Sequence, residues 1–98
     1  MKIAIASLGK DTNCEVSHVA GRSPYYLIFE NMKLIKVIKN PFVVGGGAGY
    51  GVASMLEKEG VKLVVAGKFG GNMESAFDEE GIKFIVKEGI VGDVLEKI

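Results

Sequence analysis

Tryptophan is absent from this chain of 98 residues, and cysteine and histidine occur once each, as Cys14 and His18. One cysteine excludes an internal disulfide and any all-cysteine zinc site within one chain. One histidine removes the spaced metal-ligand motifs, and no recognised nucleophile motif surrounds Ser7 or Cys14. Excess charge is also missing: 12 basic and 12 acidic residues give a formal net charge of zero, without the basic surplus of a general nucleic-acid binder. Long apolar runs are missing too. The longest are about five residues, against the roughly 20 needed to span a bilayer, and the apolar segment after Met1-Lys2 is too short for a signal peptide. A cytoplasmic protein that binds neither nucleic acid nor membrane is therefore expected. At this length it forms one domain, residues 1–98, with one core.

What the chain has in quantity is glycine, 14 residues, and five of them fall within Gly45 to Gly51. Glycine loses more backbone freedom on ordering than any other residue, so such a cluster asks for a compensating role. After it the pattern turns helical: Gly49, Val52, Ala53, Leu56 and Gly60 lie on one face, predicting a helix over about 50–59 with Gly60 just past its end. The glycines would then line a helix N-terminus, whose unpaired N–H groups and partial positive charge favour an anion. The alternative is a glycine turn that only lets the helix pack close to a sheet. Neither G-x-G-x-x-G nor G-x-x-x-x-G-K-[ST] occurs, so a conventional dinucleotide or P-loop site is not expected.

In chain order, Lys2–Ser7 reads as a strand buried on both faces. Cys14 to Pro24 reads as a polar surface loop without period, and within it Cys14 to Arg22 is expected to make few buried contacts and to be the most mobile long segment. Tyr25–Glu30 and Leu34–Lys39 read as a hairpin. Val61–Ala66 is the next strand, Asn72 is a plausible cap of a helix closed by Gly81, and Ile82–Val86 precedes a last helix using Val91, Val94, Leu95 and Ile98. The similarity of 59–65 to 80–86 suggests two helix-glycine-strand units with right-handed crossovers. The expected fold is α/β, a mixed five-stranded sheet with three helices in the order β-β-β-α-β-α-β-α. Strand one is central, the hairpin is antiparallel to one side, the later strands are parallel to the other, and Ile3, Ile5, Val64 and Ile85 lie in the core. Loops after strand one, before helix one and after strand four would converge at the carboxyl end of the sheet.

Several segments together resemble the dinitrogenase iron-molybdenum cofactor biosynthesis family: Met1-Lys-Ile-Ala-Ile5, Val16-Ser17 with Gly21-Arg22-Ser-Pro24-Tyr-Tyr, Asn40-Pro41, Gly45-Gly-Gly-Ala-Gly49 and Gly60-Val-Lys-Leu-Val-Val-Ala-Gly67. The resemblance covers nearly the whole length. It implies a ribonuclease H-like motif and the non-enzymatic binding or carriage of an iron-molybdenum cofactor or an iron-sulfur cluster precursor, exchanged with a donor or acceptor protein. The family loop Ser-Pro-His-Phe-Gly-Arg here reads Ser17-His-Val-Ala-Gly-Arg22, so His18 falls at the proline position and inherits no ligand role by strict alignment. Imidazole and thiolate nevertheless both suit iron, which makes His18 and Cys14 the candidate metal ligands. Candidate cofactor-binding residues are Ser7, Arg22, Gly45, Gly46, Gly47, Gly49 and Asn72, with Arg22 a bidentate donor to a carboxylate. A nuclease is disfavoured because neither Lys2–Ser7 nor Val61–Ala66 carries an acid for a two-metal site. The remaining alternative is a small anion- or nucleotide-binding regulatory module that uses the Gly45–Gly51 loop.

Overall fold

The computed structural model describes residues 1–42 and 48–98. Its elements are β1 (Lys2–Ser7), a 3-10 turn (Ala20–Arg22), β2 (Tyr25–Glu30), β3 (Lys33–Lys39), α1 (Ala48–Lys58), β4 (Val61–Ala66), α2 (Gly71–Glu80), β5 (Lys83–Val86) and α3 (Val91–Glu96). The five strands form one sheet in the order β3-β2-β1-β4-β5. β1 is central as its apolar run required, antiparallel to β2 and parallel to β4. β2 and β3 are antiparallel and β4 and β5 parallel, completing the expected mixed sheet.

The two sheet faces are built differently. On one, Ala4, Ala6 and Ala66 meet Ala53 and Ala76, small residues that let α1 and α2 lie close to the strands, while Tyr26, Ile28, Val64 and Phe77 fill the remaining volume. Phe69, Phe77 and Phe84 close this layer with ring centroids 5.1 to 6.0 Å apart, within the range of favourable edge and offset contacts. The other face is covered by α3, through Val91, Val94 and Leu95, and by Val16 of the loop after β1, against Ile5, Leu27, Phe29 and Val65. Ile5 and Val64 are fully buried as expected. Ile3 and Ile85 are only partly so, because a six-residue helix cannot roof five strands. The short helix also stops at Glu96, leaving Ile98 outside it and exposed.

Local chemistry sets the boundaries. Gly60 and Gly81 follow α1 and α2 in the left-handed region, at φ +80° and +71°, where a side chain would be strained. Asn31 and Met32 both take positive φ, 52° and 67°, giving the β2–β3 hairpin a tight two-residue turn. α1 begins at Ala48, two residues before the sequence pattern suggested, so Gly49 is a helical residue rather than part of the preceding loop.

Candidate functional site

The segment 14–22 is not the loosely held loop its polarity suggested. Val16 and Ala20 are buried, and the main chain is tied on both sides. Leu8 N–H donates to Glu15 O, Ser17 N–H to Ala6 O, Val16 N–H to Gly89 O and Val91 N–H to Cys14 O; Gly67 N–H donates to Ser17 O and Ala20 N–H to Lys68 O. The loops after β1, β4 and β5 are thus stitched together at the carboxyl end of the sheet, where open α/β folds bind ligands. Convergence of the first two was expected from the sequence; the β5 loop, Lys87 to Ile90, joins them. The third expected loop includes Gly45, Gly46 and Gly47, which lie outside the described residues.

His18 projects from this seam on a side chain 68% exposed, with Nδ1 2.8 Å from Glu88 Oε1. A carboxylate accepts only, so in the neutral imidazole Nδ1 carries the proton and Nε2 keeps its lone pair. That is the arrangement by which a carboxylate orients a metal-binding histidine. Gly67 makes the approach feasible: a Cβ there would fall 2.8 Å from both His18 Cα and His18 O. Glu88 escaped sequence reasoning because 70 residues separate it from His18.

Cys14 is half-buried, its Sγ 3.5 Å from Asp11 Oδ1 and packed on Gly9, where no Cβ would fit. Among the described residues no group of three or more His, Cys, Asp and Glu side chains is placed to hold a metal ion, around Cys14 and His18 or elsewhere. Ser7 is buried, and its hydroxyl donates to Gly9 O at 2.8 Å and accepts from Gly9 N–H at 3.2 Å. Its role there is to turn the chain into the loop.

The helix ends supply a different kind of group. α2 starts from Gly70 with no side-chain cap, and Cβ atoms at Gly70 and Gly71 would meet nothing within 4 Å. Asn72 is therefore the second residue of the helix, exposed, and not its cap. Gly49, in the first turn of α1, packs on the first turn of α2 so closely that a Cβ would lie 2.8 Å from Met73 N and 2.9 Å from Met73 Cα. Two helix N-termini consequently share one place, each with about half a positive charge and unpaired N–H groups. α1 has no acid in its first turn, while α2 has Glu74. Arg22 is exposed at the end of the 3-10 turn that packs on α1, and Lys68 lies on the strand-to-helix loop leading into α2. The combination is chemically suited to an anionic body.

The family model described as dinitrogenase iron-molybdenum cofactor matches residues 1–98. No curated protein sequence matches the chain. Among solved structures, a putative NifB protein from Thermotoga, described as belonging to the DUF35 family, is 27% identical with a TM-score of 0.82 over 97% of this chain and 84% of its own. The apo form of the orange protein from Desulfovibrio gigas is 23% identical with a TM-score of 0.89 over 98% of this chain and 84% of its own. A protein designated PH0822 is 24% identical with a TM-score of 0.81, covering 98% of this chain and 87% of that one. At these two lower identities the likeness is one of fold.

Proposed function

We propose, since the chain belongs to the dinitrogenase iron-molybdenum cofactor family, that it binds and carries an iron-molybdenum or related iron-sulfur cofactor, or a precursor of one, without catalysing a reaction. The observation that carries this reading is the meeting of the two helix N-termini through Gly49 and Met73, beside an open Gly70-Gly71 edge. The cluster is cargo, exchanged with a donor and an acceptor protein. Its negative charge would be met by main-chain N–H groups, with Arg22 and Lys68 at hand.

One helix end contributes roughly 0.3 to 1 kcal/mol per anionic group when exposed, and up to about 2 when partly buried. Two such ends do not hold a labile cluster, so a direct bond to iron is required, and His18 Nε2 and Cys14 Sγ are the donors available on the adjoining loop. His18 can keep its hydrogen bond to Glu88 while it coordinates, because that bond uses the other ring nitrogen.

The test is anaerobic titration with isolated cofactor, read by absorbance and paramagnetic resonance. His18→Ala or Cys14→Ser should weaken binding at least about tenfold, roughly 1.4 kcal/mol. Gly71→Asp should also weaken it while leaving the fold intact, since an acid in the first turn favours the helix but repels an anion. Wild-type protein that takes up no cluster refutes carriage. If it binds tightly and both loop variants match it, the loop supplies no ligand. A second reading, a small anion- or nucleotide-binding regulatory module, is favoured by the thin ligand set; under it, inorganic phosphate or nucleotide binds and the Gly71→Asp variant does not.

A further inference from the structure

The strand β3 forms one edge of the sheet, and among the described residues nothing pairs with its outer side. Six of its seven residues are exposed, all but Ile38. Leu34, Ile35 and Val37 are 39%, 48% and 38% exposed. An apolar edge of this kind is a template for another strand unless it is guarded. The guards are Lys33, Lys36 and Lys39 at every third position, together with a bulge where the register with β2 slips between Ile28 and Phe29 and leaves Ile35 unmatched.

The lysines discriminate between occupants. A second copy pairing antiparallel at full overlap sets Lys33 opposite Lys39 and Lys36 opposite Lys36, so every charged position meets its like, which destabilises a cross-strand pair. An acidic strand meets the reverse. β3 has no acid of its own, and the only one on β2 is Glu30, across from Lys33 at the hairpin. Lys36 is held by Glu59, 2.7 Å away, while Lys33 and Lys39 have no ion-pair partner among the described residues. The register also places Val37 beside Leu27 and Leu34 beside Phe29, on the face that α3 covers only in part. A strand laid along β3 would extend that apolar row.

We propose that β3 is a docking edge for an extended segment of another protein in which acidic residues alternate with β-branched ones, added as a sixth strand. The lysines and the bulge keep identical copies apart, and the same lysines select the partner. Main-chain pairing supplies affinity and the alternating side chains supply specificity. This edge is independent of the cluster-carrying reading, and its test uses no cofactor.

The probes are two short peptides, one alternating glutamate with valine and one alternating lysine with valine, titrated into isotopically labelled full-length protein. The glutamate peptide should shift backbone amides concentrated on β3, and the lysine peptide should not. Lys33→Glu with Lys36→Glu, the two lysines that share the face opposite the Leu34–Val37 row, should weaken the glutamate peptide by about tenfold or more and reverse the preference. Both sites are exposed on an edge, and the reversed preference shows in the same spectra that the variant is folded. Equal binding of the two peptides, no binding, or shifts centred elsewhere overturn the proposal. So does a wild-type dimer in sedimentation whose interface maps to β3, because the occupant would then be a second copy.

Discussion

Gly49→Ala sets two effects against each other, and the structure says which prevails. By intrinsic propensity, replacing a helical glycine with alanine stabilises by about 1 kcal/mol. Here the new Cβ would sit 2.8 Å from Met73 N, 2.9 Å from its Cα and 3.1 Å from its Cβ. These separations are about 0.4 to 0.7 Å shorter than even the near end of the optimum for non-bonded contacts, about 3.5 Å. The obstructing atoms are mainly backbone inside α2, so relief requires α1 and α2 to move apart, loosening Val52, Ala53, Ala76 and Phe77 in the layer beneath. Overpacking of this sort costs typically 1–3 kcal/mol. The net expectation is destabilisation by about 1 kcal/mol, equivalent to roughly 4–8 °C in Tm for a domain of this size. Thermal and urea unfolding followed by far-ultraviolet dichroism measure it. Gly71→Ala is the control, for its Cβ enters open space at the start of α2 and should be neutral or mildly stabilising. A Gly49→Ala protein as stable as wild type, or raised like the control, would refute the close approach of the two helix ends.

The Tyr26 phenol is buried and donates to Ala20 O, and loss of hydration pushes its pKa up. A tyrosine in the unfolded chain ionises near about pH 10, so this group's contribution is fully present below that pH and is lost as pH rises above it. Absorbance titration should show one phenol ionising only as the protein unfolds, and Tyr26→Phe should remove that step at a cost of about 1 kcal/mol at neutral pH. The His18–Glu88 pair joins side chains 68% and 63% exposed. His18→Ala should therefore change stability by less than about 1 kcal/mol in urea titrations; a larger loss would mean the pair, and not the main-chain bonds, holds the loop.

The sheet was readable because each strand is an apolar run ended by punctuation: Lys2–Ser7, Tyr25–Glu30 and Val61–Ala66 match their sequence boundaries residue for residue. Gly60 and Gly81 likewise signalled helix ends through a backbone requirement that one residue can reveal. The site was less readable because its determinants are pairwise and distant. Glu88 acquires meaning only beside His18, Gly49 only beside Met73 and Gly67 only beside the His18 backbone. The order of 14–22 was hidden for a related reason: its partners are carbonyl and amide groups near 66–68 and 87–91, which every sequence possesses and none advertises. Asn72 misled as a cap because glycine at Gly70 serves the same position without a side chain.

Main-chain stitching of 14–22 has a consequence for how the molecule can be altered. The bonds from Val16, Ser17, Ala20, Gly67 and Val91 are made by atoms that substitution leaves in place, with proline the exception. Side chains exposed on the seam, at His18, Val19 and Arg22, can therefore be exchanged without redrawing the path of the chain. The seam behaves as an interchangeable display, its contour inherited from the sheet and its chemistry set independently at each exposed position. A library randomised at those three positions should retain folded members in most combinations lacking proline, and new ligand preferences should arise there more readily than at Gly67, where a Cβ would collide with the His18 backbone, or at Ala20, whose side chain is buried in the core.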